Sequence, residues 1–277
     1  MIQDEHIGSF KLSNFRHVDG RGKAMLYTNF LDRFVADRRE MIEIGLDLLA
    51  LRPGSSVLDV GCGPGAVVPL LASRVETSGR VVGIDPSSEL VAEAHRRFKD
   101  SGLPVEIAIG NAQTLDFADA TFDAARTDRV LVHVRDLRAA VLELVRVTKS
   151  GGRLVVTEPD MAASILDSSD QATTREVLAG ACGEFQNPSL GRQLRALFLD
   201  AGLKGVEVRI FSILHTDFAQ WSERMGIDEA LRAVVDAGHA STASADAWLT
   251  DLRARDAAGR FFAANILCMV SGTKPAY

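Results

Sequence analysis

The part of this sequence best suited to holding a ligand is Asp59-x-Gly61-x-Gly63-x-Gly65, an acid followed by three glycines at alternate positions. Glycine removes the side chain that would keep a ligand at a distance and lets the backbone turn tightly. The glycines follow Val57, Leu58 and Val60, an apolar run of the kind that forms a strand covered on both faces. Pro64 suits the first position of a helix, where its fixed φ fits. The amides of a helix N-terminus would then face whatever lies over the turn.

Gly61, Gly63 and Ala66 satisfy the loose dinucleotide fingerprint G-x-G-x-x-G/A, which keeps an NAD-dependent oxidoreductase open. Two features point elsewhere. Asp59 would repel a pyrophosphate; it suits the cationic amino group of an amino-acid moiety, or the backbone N–H groups of the turn. The glycine spacing is also tighter. A second acid, Asp85, closes the apolar run Val81-Val82-Gly83-Ile84 about twenty residues past the glycines, the place of a ribose-binding carboxylate. As a purely local feature it would be an N-cap acid for the helix that Pro86-Ser87-Ser88 opens. His133 falls just past a fourth strand, where open α/β sheets bind ligands, and is a candidate general base. Its structural alternative is a histidine hydrogen-bonded within a strand-to-helix turn. Asp128, Glu158 and Asp160 could hold a divalent ion, but capping helices or lining a pocket is the preferred reading, so no metal is expected.

The elements that must position these residues follow from patterning. Helical spacing of Phe30, Phe34, Met41, Ile44, Leu48 and Leu51 predicts one helix over 30–51, ended by Arg52-Pro53-Gly54. Strands are expected over 57–60, 81–85, 105–109, 122–126, 154–157, 206–211 and 261–272, with helices between them. A largely helical segment at about 218–258 sits between the last two strands. Residues 1–29 are polar but carry Phe15 and Tyr27, with Phe30 directly after them, which favours a flap over the site mouth above a frayed terminus. A hydrophobic content of 47% and a charged content of 25% describe a globule with a substantial core. The net charge of −6 gives no general reason for a polyanionic partner, so nucleic acid is not expected. Cys62, Cys182 and Cys268 are too far apart for a disulfide framework or a zinc pattern. No apolar run is long enough to span a membrane, and the start lacks a signal peptide's regions, so no membrane partner and a cytoplasmic location are expected.

Taken in order, the glycine turn, the acid Asp85, Gly110-Asn111-Ala112, Phe122-Asp123 and Gly151-Gly152 resemble the motif succession of class I S-adenosylmethionine (SAM)-dependent methyltransferases over residues 50–160. The resemblance is to the group containing the ubiquinone/menaquinone-biosynthesis and arsenite enzymes. The clustered thiols of arsenite methylation are missing, as is the Asn/Asp-Pro-Pro-Tyr motif of amino-methylating enzymes, where Thr127-Asp128-Arg129 stands. The resemblance implies a Rossmann-like α/β sheet of seven strands, mostly parallel with an antiparallel last strand. It further implies a methyltransferase domain over 51–277, an N-terminal helical flap over 1–50 and a helical lid at 218–258. Cofactor contacts are expected from Asp59, Gly61, Cys62, Gly63, Gly65, Asp85, Pro86 and Asp128, with Asn111 (where relatives usually carry Asp) and Ala112 at the adenine. His133 and Tyr27 are the expected catalytic residues, the latter setting a ring near the sulfonium. The substrate would be a small, partly apolar metabolite, and the protein a monomer or homodimer. A SAM-binding protein catalysing a non-methylating reaction stays open beside the oxidoreductase.

Overall fold

Apolar residues that adjoin in each central strand point to opposite faces, and both faces are buried. The computed structural model describes residues 18–19, 24–183 and 185–276, so Phe15 and the rest of 1–17 lie outside the described residues. Val57 of β1 (Ser56–Val60), Val81 of β2 (Arg80–Asp85) and Ala124 of β4 (Phe122–Asp128) join one apolar cluster, and their neighbours Leu58, Val82 and Ala125 join another. With β3 (Val105–Ile109), β5 (Thr148–Leu166), β6 (Lys204–His215) and β7 (Ala263–Thr273), they form one seven-stranded sheet in the order β3-β2-β1-β4-β5-β7-β6. Strands β1 to β5 pair in parallel, and β7 runs antiparallel to both β5 and β6. The expected fold class is therefore what the chain adopts. Strand order reverses between β1 and β4, and ligands of open α/β sheets bind in the crevice at such a point.

Helices α1 (Ala24–Asp37), α2 (Arg39–Leu48), α3 (Val68–Val75) and α4 (Ser88–Phe98) precede β3, and α5 (Leu137–Val147), α6 (Gln171–Cys182) and α7 (Leu190–Asp200) follow β4. Met41, Ile42 and Leu46 of α2 pack with Leu71 of α3 on the Val57 face, and Leu144 of α5 with Leu194 of α7 on the Leu58 face. Each such fully buried side chain contributes about 1.5–3 kcal/mol. The segment between β6 and β7 folds as α8 (Phe218–Met225), α9 (Ile227–Asp236) and α10 (Thr242–Ala257), anchored in the second cluster by the buried rings of Trp221 and Trp248.

Several boundaries differ from expectation. The helix expected over 30–51 is two, broken at Arg38, whose φ of −125° and ψ of 30° leave the helical region. No glycine or proline marks that break; it lets α1 leave the sheet while α2 stays packed on it. Pro64 is not a first helical residue: the glycine turn runs on for another turn, and α3 opens at Val68 with Pro69 as its second residue. The fifth strand is far longer than expected, because its carboxyl-terminal part continues alongside β7. The expected Gly-Gly turn lies within it as a bulge, residues 149–152 intervening between the pairs Phe122–Thr148 and Ala124–Arg153.

One polar contact crosses the centre of this apolar sheet. Asp59 and Arg126 are direct partners in the β1–β4 register, and Arg126 Nη1 donates to Asp59 Oδ1 at 2.8 Å. Both are buried. Burial pushes the Asp59 carboxyl above its ordinary value, with Arg126 opposing the shift and Asp128 adding to it. Arg126→Met would leave that carboxylate unpaired and should cost about 3–5 kcal/mol, read as denaturant-unfolding stability. Combining it with Asp59→Asn should restore part of the loss; a single-variant cost below 1 kcal/mol would show that the pair does not bear on stability.

Candidate functional site

The glycine turn is built as much by packing as by openness. Gly61 has φ +73°, and a Cβ there would come within 2.1 Å of Val130 Cγ2. Gly65 has φ +82°, and its Cβ would strike Phe98 of α4 at 2.4 Å. Gly65 therefore admits a helix, not a ligand, and it does not line the cavity. Neither does Cys62, which is buried with its thiol turned toward the Gly63 carbonyl. Gly61 and Gly63 do line it, with Leu31 of α1 closing over Gly63.

Asp85 pins this turn, the task expected of Asp59. Its Oδ2 accepts the Gly63 N–H at 2.9 Å, and its Oδ1 accepts the Ser87 N–H at 2.9 Å. The helix cap of α4 is Ser87, whose Oγ accepts from Leu90, so Asp85 is not that cap. A carboxylate offers about four acceptor sites, so about two remain for hydroxyl donors from the cavity. Burial drives its pKa up to about 6 against the pull of those two amides. Asp19 secures the same corner, accepting from Ser87 Oγ at 2.5 Å and from the Ser88 N–H at 2.9 Å. Pro86, Asn111 and Ala112 line the cavity beside Asp85; Asn111 Oδ1 accepts the Gln113 N–H at 2.9 Å, an Asx-type turn. An acid with spare acceptor capacity, an amide side chain and a glycine turn free of Cβ atoms suit the hydroxyls, base and amino-acid backbone of SAM.

The cavity, of about 540 Å³, continues from there past the carboxyl ends of β4 and β5. His133 lines it from a single 3-10 turn, Leu131–His133, with its ring stacked against Phe185 at 6.0 Å between centroids. Glu158 holds that turn: its fully buried carboxyl accepts the N–H groups of Val130, Leu131 and Val132 at 2.9, 2.7 and 3.1 Å. Burial raises it to about 8, the three amides drawing it back. Asp128 lines the cavity but is bound to Arg126 and Arg129 at 3.1 and 2.9 Å, and Asp160 takes both Arg192 Nε and Nη2 at 2.7 Å. Asp128, Glu158 and Asp160 thus serve separate partners, and among the described residues no group of three or more His, Cys, Asp or Glu side chains could hold a metal.

Besides Gly65 and Cys62, two more expected site residues are placed elsewhere. Asp59 is taken by Arg126 and does not reach the cavity. Tyr27 is 1% exposed and packs with Val18 and Leu90, because α1 crosses α4 at that turn. Phe30 and Phe34, one and two turns later on α1, face the cavity instead. Arg38, Arg129, Arg224, His215 and Asn265 also line it, and none stood out in the sequence. Only Arg129 lay within a quoted stretch, and its φ of +58°, uncommon for a residue with a Cβ, has no sequence mark.

A family described as "Methyltransferase domain" matches residues 58–156. An uncharacterized 37.1 kDa protein in transposon TN4556 of Streptomyces fradiae is 40% identical over 234 residues, covering 84% of this chain and 66% of that protein. An uncharacterized methyltransferase of Schizosaccharomyces pombe is 31% identical, covering 76% of this chain and 81% of its own length. A demethylmenaquinone methyltransferase of Bacillus cytotoxicus is 35% identical over 54% of this chain and 62% of that one. The chain thus spans just under two thirds of two of these three relatives. Among solved structures, the YcgJ protein of Bacillus subtilis superposes with a TM-score of 0.62 at 19% identity, over 87% of this chain and all of the other, a likeness of fold.

Gly61→Ala should cost about 2–5 kcal/mol, from left-handed strain together with overpacking against Val130. Gly151→Ala, at φ +79° with nothing within 4 Å of the added Cβ, should cost only about 1–2 kcal/mol. Denaturant unfolding of both variants checks this, and equal losses would mean that the Val130 contact relaxes freely.

Proposed function

Because the chain belongs to the SAM-dependent methyltransferases of the group that includes the quinone-biosynthesis enzymes, we propose that it methylates a small, partly apolar molecule. That membership displaces the oxidoreductase reading. The observation that carries the proposal is the continuity of one cavity from the Asp85 corner to the His133 turn. A donor bound at the first and an acceptor bound at the second would meet inside it, shielded from water by α1. No helix among the described residues is long and apolar enough to cross a membrane, and a net charge of −6 gives no footing for nucleic acid as acceptor.

Bound SAM supplies a methyl group already activated on a sulfonium. The protein's part is to place a nucleophile in line with that methyl group and to keep water out. Asp85 accepts the ribose hydroxyls, the Gly61–Gly63 backbone lies against the amino-acid portion, and Asn111 with Ala112 meets the adenine. Asp59 acts indirectly, by holding β1 against β4 through Arg126. Phe30, Leu31 and Phe34 of α1 form the cover, the role first expected of Tyr27. His133 takes a proton from the acceptor where the nucleophile needs deprotonation. Among the described residues, α1 is the flap in this reading; α2, which shares the sheet's core, belongs with the methyltransferase domain. The lid segment contributes Arg224 to the cavity wall. Monomer and homodimer fit this reading equally.

Calorimetry should show SAM and its demethylated product binding, with no NADH signal; saturable NADH binding without SAM binding would end the reading. Asp85→Ala should weaken SAM by roughly 10- to 100-fold, since two hydroxyl bonds to a charged acceptor are lost. The wild-type affinity should fall as pH drops through about 6, because only the ionised carboxylate keeps both oxygens as acceptors. The same raised pKa has the opposite sign for stability. The folded state binds this proton more tightly than the unfolded one, so Asp85's contribution is lost as pH rises from about 4 to 6. A pH-independent SAM affinity in the wild type would remove Asp85 from the contact.

His133→Gln tests the second end of the cavity. It should lower kcat by about 100-fold or more, remove one ionisation from the pH–rate profile, and leave SAM affinity within twofold. Unchanged turnover with an unchanged profile would leave positioning as the whole of the chain's contribution.

A further inference from the structure

The wall of the cavity is rich in cations in a protein whose net charge is −6. Five guanidinium groups line the cavity, those of Arg33, Arg38, Arg129, Arg135 and Arg224, against three carboxylates, Asp37, Asp85 and Asp128. Asp85 is engaged by the Gly63 and Ser87 amides and Asp128 is shared with the buried Arg126. Asp37 approaches Arg38 only to 3.7 Å, beyond hydrogen-bond length.

These arginines converge on two rings. The Arg129 guanidinium carbon sits 3.5 Å, and that of Arg38 4.8 Å, from the centroid of Phe34, while Arg224 lies 5.4 Å from that of Phe30. Ring contact of this kind orients a guanidinium but does not neutralise it. Burial lowers the Arg38 pKa, Asp37 opposes, and Arg129 and Arg224 lower it further; Arg224 is lowered by burial and then by Arg33, with Glu223, Asp217 and Asp37 opposing. Like charges have thus been gathered on a half-buried wall, an arrangement that costs stability until an anion arrives. Two further groups support a polar ligand there. His215 is turned to Asn265 Oδ1 at 2.7 Å and is itself pushed below its ordinary value, by burial first and then by Arg224 and Arg38 against the pull of Asn265. Arg129 reaches the ring only from a left-handed backbone, the sort of local strain that collects at ligand sites.

We propose that the methyl acceptor is an apolar molecule carrying an oxyanion, a carboxylate or a phosphate, which Arg38, Arg129 and Arg224 bind at the β6–β7 end of the cavity while its apolar body lies against Phe30, Phe34 and Met161. The proposal rests on the methyltransferase reading of the same cavity and adds the acceptor's charge. Guanidinium forks match the planar oxygens of either anion, and the surrounding apolar walls strengthen the attraction.

The test uses the full chain with S-adenosylhomocysteine bound, titrated calorimetrically with 2-naphthoate, 2-naphthyl phosphate and neutral 2-naphthamide. One of the two anions should bind at least ~10-fold tighter than the amide, and which one does so distinguishes carboxylate from phosphate. That advantage should shrink with added salt. It should disappear in the Arg38→Gln/Arg224→Gln double variant, whose affinity for S-adenosylhomocysteine stays within twofold and so reports an intact fold. Equal binding of anion and amide, an advantage that survives the double variant, or no binding of any naphthyl probe to the loaded protein would each overturn the proposal. Failure of S-adenosylhomocysteine itself to bind would instead remove the methyltransferase reading, and the proposal with it.

Discussion

A line of alternating charge, Asp59–Arg126–Asp128–Arg129, runs from inside the sheet to the cavity wall, and the site depends on it. Removing one ion from water costs several kcal/mol, so each member is tolerable only because its neighbours carry the opposite sign. The line crosses between β1 and β4, the two strands whose divergence opens the crevice. It sets their register at Asp59 and Arg126, since sliding by one residue would bury a carboxylate against alanine or threonine. At its outer end Arg129 emerges with its charge half-compensated and its guanidinium over Phe34. Buried ion pairs are weak contributors to net stability. Here the line links strand alignment with the polarity of the pocket.

A second buried carboxyl, Glu158, organises the loop beyond β4 by collecting three amides that no helix or strand would satisfy. Asp85 does the same for the glycine turn with two. The two walls of the cavity are therefore loops held by acids from neighbouring strand ends. Side chains on loops so fastened can be placed as reliably as those on helices.

Much of this was legible in the sequence because the relevant features are local. The glycine turn, Asp85 and Asn111 each end a strand whose apolar run announces it, and the helices between them follow ordinary patterning. What could not be read depends on neighbours far along the chain. Asp59 looked available because nothing in its vicinity names Arg126, 67 residues away, as its partner. Gly65 looked like a ligand contact because its true neighbour, Phe98, sits on another helix. Tyr27 and Phe30 are equivalent aromatic residues on one helix until the crossing with α4 decides which is covered. The break at Arg38 carries no glycine or proline, so periodicity ran straight through it. The cationic wall of the cavity draws on α1 and the break after it, the loop after β4, and α8, and arginines scattered over separate elements form no pattern.

The antiparallel course of β7 has a consequence for the order in which the protein can come into being. Gly61, Gly63, Asp85 and Asn111 span some fifty residues, so the Asp85 corner can close by short-range contacts alone. The arginine-lined wall needs Arg38 with Arg224 and Asn265, which lie far apart along the chain. By loop-closure entropy the longer span adds only about 1 kcal/mol, but in time the difference is absolute. Asn265 reaches the cavity because β7 starts there and runs back through the sheet toward the C-terminal residues. On a ribosome, where the chain emerges N-terminus first, the corner for one ligand can be whole while the wall that selects the other has not yet been made.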